Sequence, residues 1–292
     1  MSISRSIGID APVTRVFGEV RDFQSWPKWS PWLIADPDCS LDFGKDRYSW
    51  AGAVCGAGGM AVIGEKENEW ISYDLVFQKP FKSVAKVRMI FAEKEGGTLV
   101  TWTMDSSLPF FLFWLTKSME GFIGMDNQRG LMMLKALVET GEVPSKLEFP
   151  GPETVPPMTG VGVRRTCGFN EMPEKIGGDF RRVRREFPGG RGFNICYEWK
   201  VSAGTLHYLI GVEVESVPTD LAPDLEVVTI PRQQVYVVRH TGPYQFLGNA
   251  WAAGMMHSRS GQFSQSRKLP PFELYADEDS ENPMVKICLP MK

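Results

Sequence analysis

The sequence predicts an α+β protein of two domains: an antiparallel sheet with a long C-terminal helix, then a pseudo-twofold, duplicated β-α-β-β unit. Three observations carry this reading. Strand-like segments recur at regular spacing between Leu41 and Trp102 and give way to one long helical pattern. Between Glu142 and Pro157 the composition shifts to Pro, Gly, Ser and Glu. The remainder repeats itself at an offset of about 75 residues, which is the signature of an internal duplication. Domains are therefore expected at 1–142 and 158–292, joined by a stiff proline-rich linker at 143–157.

In chain order, Ser2 to Ile9 alternates as a short strand. Asp10 and Pro12 mark a helix start, and Val13, Val16, Phe17 and Val20 follow at helical spacing. Trp26, Trp29 and Trp32, three residues apart, suggest a short aromatic helix or turn that lids a core. Strands are expected at Arg47–Trp50, Gly59–Ile63, Trp70–Phe77, Ser83–Phe91 and Thr98–Met104, with a hairpin at Gly96-Gly97. A helix from about Phe111 to Thr140 presents Leu115, Met119, Phe122, Ile123, Met133, Leu134 and Leu137 on one face, and Gly141 stops it. Asp126 falls on that face. A buried carboxylate needs a partner or a wet cavity, so it has either a structural hydrogen bond or a role towards a ligand.

In the second half, Val163-Arg-Arg-Thr166 lines up with Val238-Arg-His-Thr241. Gly192-Phe-Asn-Ile-Cys196 lines up with Pro271-Phe-Glu-Leu-Tyr275, and the strand from Tyr208 lines up with the one from Lys286. Two β-α-β-β units side by side leave a cleft between them. Phe180-Arg-Arg-Val-Arg-Arg-Glu-Phe187 places Phe180, Val183 and Phe187 on one helix face and its arginines largely on the other, as a solvated face or an anion patch would.

Two resemblances rest on these residues. Ile9-Asp-Ala-Pro12, Val16-Phe17 and Asp22 to Trp32 resemble the opening of the SRPBCC superfamily, the START-like and polyketide-cyclase-like helix-grip domains. Gly124 to Glu139 resembles that superfamily's C-terminal helix, which closes a cavity against the sheet. The strand-turn-helix Val235 to Trp251, with His240-Thr-Gly-Pro-Tyr244 at its turn, resembles the GyrI-like, effector-binding domains of multidrug-responsive regulators. So does the closing strand Met284 to Met291. The resemblances imply a small-molecule cavity in each half.

Apolar pockets with a few placed polar groups bind small molecules. The candidates in the first domain are Trp50, Trp70, Tyr73, Phe77, Trp102, Met119, Phe122 and Asp126. Those in the second are Tyr197, Trp199, Tyr208, Glu213, Tyr244, Trp251, Phe272, Tyr275 and Lys286. Taken singly, each aromatic fits core packing as well. Many GyrI-like domains balance a lipophilic cation with a glutamate on the last strand, four residues before the proline. That position here is Lys286, and an inward-facing ammonium would favour neutral or anionic ligands over cationic ones. Glu213, Glu215 and Glu273 are nearby carboxylates able to substitute.

Other features bound the function. The 292 residues are 43% hydrophobic and 23% charged, with net charge −3, so no nucleic-acid partner is expected. Five scattered cysteines without a CxxC pair suggest neither a zinc site nor a redox pair, and no cofactor or metal is expected. Met1-Ser-Ile-Ser-Arg has no signal-peptide core, and the run Leu108–Leu115 is too short to span a bilayer. A cytoplasmic protein with reduced thiols and no membrane partner is expected. No Ser-His-Asp set is legible, and His207 and His240 read as hydrogen-bonded strand or turn residues. The expected function is a sensor or carrier of small hydrophobic molecules without a DNA-binding domain. The rival is an enzyme, either a hydrolase of electrophiles in the second domain or a cyclase-like activity in the first. It would be marked by a carboxylate of raised pKa in either cavity, with Asp126 and Glu213 as candidates.

Overall fold

The structure, a computed structural model, describes residues 1–106, 116–276, 280 and 282–292. It divides into two units, Met1–Pro144 and Ser145–Lys292. The expected helical residues 111–115 and the apolar run Leu108–Leu115 lie outside the described residues.

The first unit is an antiparallel meander. Strands β1 (Ser2–Ile9), β2 (Ser40–Phe43), β3 (Arg47–Gly52), β4 (Gly56–Lys66), β5 (Trp70–Lys79), β6 (Ser83–Lys94) and β7 (Gly97–Ser106) form one sheet in the order β1-β7-β6-β5-β4-β3-β2. Helices α1 (Val13–Arg21) and α2 (Trp26–Trp29) connect β1 to β2, and α3 (Thr116–Thr140) packs on β1 and β7. Pro12, not Asp10, is the cap residue of α1, and the Asp10 N–H instead donates to Glu139 Oε1 at 2.6 Å.

Strand alternation places Ile71, Tyr73, Met89 and Trp102 inside. Trp26 and Trp29 cap them, with ring centroids 4.4 Å apart and each about 6 Å from Trp102. The inward face of α3 keeps Met133, Leu134 and Leu137 as expected but departs from the expected one in its N-terminal half. Asn127, Leu131, Leu134, Leu137 and Val138 are buried, whereas Phe122 is 39% exposed and Asp126 is half-buried. The phase differs because Gly130 lets Trp102 approach the helix: a Cβ there would sit 2.9 Å from the indole. The polar residue in the core is thus Asn127, whose side-chain nitrogen and oxygen both lack a partner among the described residues.

The second unit is one eight-stranded antiparallel sheet with both helices on one face. Its elements are β8 (Lys146–Val155), β9 (Met158–Gly168), α4 (Met172–Glu186), β10 (Gly192–Lys200), β11 (Thr205–Glu213), β12 (Leu225–Ile230), β13 (Gln233–Thr241), α5 (Gly248–Arg259), β14 (Phe272–Ala276) and β15 (Met284–Pro290). The order β12-β9-β11-β10-β14-β15-β13-β8 is symmetric about the β10–β14 pair, as a duplication requires. The stretch expected as a linker is corrected here. Residues 146–155 form β8, an edge strand on β13, where prolines are tolerated because the outer edge needs no donor. The register slips next to Gly151, which has φ +82°. Each outer strand lies on the other repeat: β8 precedes β9 in sequence but pairs with β13, and β12 precedes β13 but pairs with β9.

His240 on β13 is fully buried. Its Nε2 lies 3.1 Å from Ser145 Oγ, which also accepts from Asn249 Nδ2 at 3.0 Å. Burial lowers its pKa from 6.5 to about 4. A histidine whose folded pKa is depressed contributes stability that is full above about pH 6.5 and lost as pH falls towards 4. The loss is up to about 3 kcal/mol. Urea unfolding of the second domain should show this loss between pH 7 and 4.5, and His240→Gln should flatten it. An unchanged pH slope in the variant would remove His240 as its source.

In the first domain, Asn127→Leu should raise stability by about 1 kcal/mol, because an unsatisfied buried amide costs roughly 1–3 kcal/mol. A lower melting temperature in that variant would mean that Asn127 has a partner in solution.

Candidate binding site

Helix α4 lies over β9 and β11, and α5 over β13 and β15. Between the two helices, the central strands β10 and β14 face a cavity of about 1550 Å³. Its walls include Met172, Ile176 and Phe180 of α4, Leu247 before α5, and Trp251 of α5. The sheet side carries Asn194, Cys196, Leu206, Ile210, Glu273 and Tyr275. At the rim, Trp199 and Tyr244 are 39% and 46% exposed. Trp199 meets Phe169 at a tilt with centroids 5.2 Å apart, and Tyr244 meets Tyr275 edge-on at 5.9 Å.

One carboxylate stands on this apolar surface, and Arg181, Arg184 and Arg191 also line the cavity. Glu273 is 5% exposed and accepts hydrogen bonds from Trp251 Nε1 at 2.6 Å, Tyr275 OH at 2.5 Å and Asn194 Nδ2 at 3.1 Å. No salt bridge to it occurs among the described residues. Burial raises its pKa, and the three donors oppose that rise. Burial and the neighbouring carboxylate push the Tyr275 phenol well above its ordinary range, so it stays a donor. Asn194 turns its Nδ2 to the carboxylate, which leaves its buried Oδ1 without a partner among the described residues.

Residues 1–139 match the family described as polyketide cyclase / dehydrase and lipid transport, and residues 152–292 match the GyrI-like small molecule binding domain. The chain joins one domain of each family. Among solved structures, it is similar to protein MLL2253 of Mesorhizobium loti (16% identity, TM-score 0.38), covering 47% of this chain and 96% of that one. It is also similar to the Aha1 dimer of Colwellia psychrerythraea (16%, TM-score 0.37; 48% and 98% covered). A third likeness is to EcmrR in a complex with DNA (16%, TM-score 0.41; 62% and 69% covered). At these scores the likenesses carry no argument about function. The comparison with curated proteins finds no match.

The GyrI-like domain brings Trp199, Tyr244, Trp251 and Tyr275 together at the cavity. Five other expected residues lie elsewhere. Phe272 falls on the opposite sheet face by strand alternation, buried with Leu274 and Cys288. Tyr197 also turns to that face and stacks under Arg164, whose guanidinium lies 4.1 Å from its ring. A bulge between Cys196 and Glu198 restores Trp199 to the cavity side. Tyr208 is buried beneath α4, donating to Asp179 Oδ2 at 2.8 Å. Glu213 pairs with Arg191 at 3.1 Å.

Lys286 requires the main correction. It sits opposite Leu274 on the far face, and its Nζ pairs with Glu153 of β8 at 2.9 Å. The premise that an ammonium faces the cavity therefore fails. The inward carboxylate is Glu273, one strand away. The alignment of Pro271–Tyr275 with Gly192–Cys196 already paired it with Asn194, its hydrogen-bond partner in the structure.

In the polyketide cyclase-like domain, Trp50, Tyr73, Phe77 and Trp102 belong to one chain of ring contacts running through Tyr48, Phe23 and Trp26. Trp70 alternates to the outer face, where Arg88 covers its ring at 4.3 Å. Met119 is half-buried and Phe122 largely exposed. Asp126 accepts from Arg129 at 2.6 Å and from Trp32 Nε1 at 3.2 Å, a structural set of partners. Three metal-capable groups, Asp36, Cys39 and Cys55, lie within 4.8 Å of one another. No helix among the described residues is long and apolar enough to cross a membrane.

Glu273→Gln tests the electrostatic strain of the cavity. The phenol of Tyr275 and the amide of Asn194 can both reverse to suit a carboxamide. A raised folded pKa contributes stability at acid pH that is lost as pH rises, so the variant should gain about 1 kcal/mol at pH 8 and less at pH 5. Equal melting temperatures of variant and wild type at both pH values would show that Glu273 carries no such cost.

Proposed function

We propose that the protein binds small hydrophobic molecules in the GyrI-like cavity, as a sensor or carrier, and that Glu273 selects those bearing a cationic nitrogen. The supporting observation is the buried carboxylate with three neutral donors and no salt bridge among the described residues. Opposite charges about 4 Å apart at an effective dielectric near 20 attract by roughly 4 kcal/mol. Aromatic faces such as those of Trp199 and Trp251 add about 1–2 kcal/mol for a desolvated cation. Asn194 Oδ1 supplies a second acceptor, which suits a ligand nitrogen with more than one N–H. With Lys286 on the far face, the expected preference for neutral or anionic ligands loses its support. The acidic net charge of −3 favours a reading without nucleic acid. The reading does not extend to the first domain, where the aromatic rings pack on one another.

The rival reading is a hydrolase of small electrophiles. The raised pKa of Glu273 favours it, since a general base is a carboxylate tuned upward in a dry pocket. Tyr275, held as a donor, could protonate a leaving oxygen.

A lipophilic ammonium compound and its neutral carbon isostere separate these readings. Calorimetry at pH 7.5 should show the cation binding at least tenfold more tightly, and Glu273→Gln should abolish that difference. Binding should weaken as pH falls through the raised pKa of Glu273. Equal affinity for the two compounds would overturn the charge selection. Turnover of an epoxide or activated ester that Glu273→Gln abolishes would favour the hydrolase.

A further inference from the structure

In the polyketide cyclase-like domain, outside any cavity described above, two cysteines sixteen positions apart meet at one edge of the sheet. Cys39 immediately precedes edge strand β2, and Cys55 ends the turn between β3 and β4. Their sulfur atoms lie 3.0 Å apart, and both residues are partly exposed. The other three cysteines are buried.

The surroundings hold this pair in place. Asp36 Oδ2 accepts from the backbone N–H groups of Val54 at 2.7 Å and Cys55 at 2.9 Å, which fixes the turn against the segment leading into β2. Gly52 leaves the space the cluster needs. A Cβ there would lie 2.1 Å from Asp36 Oδ2 and 2.7 Å from Cys55 Sγ. The indole of Trp50 donates to the Cys55 carbonyl at 3.4 Å.

We infer that Cys39 and Cys55 are a disulfide-forming pair, closed by a hydroperoxide and opened by thiol reductants. The geometry favours this over a metal site. Two thiolates on one zinc ion, each about 2.3 Å from it in tetrahedral array, stand roughly 3.8 Å apart. Closing to a disulfide at about 2.05 Å and opening to the zinc span each ask for a shift of about 1 Å. The ligand count decides: Asp36, Cys39 and Cys55 are three groups among the described residues, where a structural zinc takes four. Asp36, the third candidate ligand, already accepts two amides at its Oδ2.

The chemistry balances with the hydroperoxide as oxidant. One sulfur attacks the peroxide, the O–O bond breaks, and a sulfenic acid forms with one water from hydrogen peroxide, or one alcohol from an organic hydroperoxide. The second thiol then attacks that sulfur. The S–S bond forms as the S–O bond breaks, and a second water leaves. Each sulfur loses one electron, and the peroxide takes both. Burial pushes both thiols up, Cys55 most, so little of the nucleophilic thiolate is present at neutral pH and closure by peroxide is slow. A thiol of high pKa is a poor leaving group, so the closed bond opens slowly. The device is a lasting staple of the sheet edge under oxidative conditions, not a fast sensor.

The test uses the full-length protein, reduced, desalted and exposed to hydrogen peroxide under native conditions. Remaining thiols are alkylated, and the protein is digested without reduction for mass spectrometry. The expected product is one linked peptide pair containing Cys39 and Cys55, two hydrogens lighter than its parts, while Cys167, Cys196 and Cys288 are recovered alkylated. The melting temperature of the first domain should rise by several degrees and return with dithiothreitol. Cys39→Ser and Cys55→Ser should each remove that shift. Two outcomes overturn the inference: separate oxidation of the two sulfurs to sulfinic acids without a link, or stoichiometric zinc that survives desalting and protects both thiols from alkylation. The linked peptide is read on the wild-type chain, so the test stands even if a serine variant folds poorly.

Discussion

Burying one carboxylate under three neutral donors is the constraint that organises the second domain. Glu273 stays in an apolar cavity because Trp251, Tyr275 and Asn194 each give it a hydrogen bond. Those three come from a helix, the same strand and the neighbouring repeat, so the carboxylate requires both halves of the duplication to be in register. The β10–β14 pairing that joins the repeats sets Asn194 directly opposite Glu273. The symmetric sheet and the asymmetric charge thus meet at a single pair of residues.

The two domains solve the problem of an aromatic-rich interior differently. In the first, Trp26, Trp29 and Trp102 fill the space between helix and sheet and touch one another. In the second, Trp199, Trp251, Tyr244 and Tyr275 surround open volume. Tilted and edge-on contacts occur in both, but in the second the rings surround a buried carboxylate, whereas in the first Asp126 is half-buried and paired with Arg129. A site is therefore distinguished from a core by what the rings surround, not by how many there are.

Much of the architecture was legible in the sequence, because strand alternation, the duplication and the two family motifs are local or periodic signals. Four features were not. Residues 146–155 look like a linker, since proline content signals the absence of central-strand structure and says nothing about an edge. The inward phase of α3 is offset because Gly130 admits the Trp102 indole, a tertiary contact that no helical periodicity records. Lys286 falls at the motif's glutamate position counted along one strand, while the inward carboxylate, Glu273, one of three substitutes the sequence offers, sits on the adjacent strand. Among Glu213, Glu215 and Glu273, the repeat alignment, which equates Glu273 with Asn194, is the clue that points to the right residue. The meeting of Cys39 and Cys55 had no sequence signal, since their approach depends on a loop folding back beside a hairpin turn.

The exchange of outer strands between the repeats bears on how the second domain is made. β8 is synthesised first, yet its partner β13 begins almost eighty residues later. An emerging ribosomal chain must carry an unpaired, proline-containing strand until most of the domain has left the tunnel. Pairings this distant in sequence carry a high loop-closure cost and slow folding. The same interlocking means that neither repeat closes its own sheet. An ancestral single unit could have been complete only as a dimer that traded these strands, with the binding cavity on its symmetry axis.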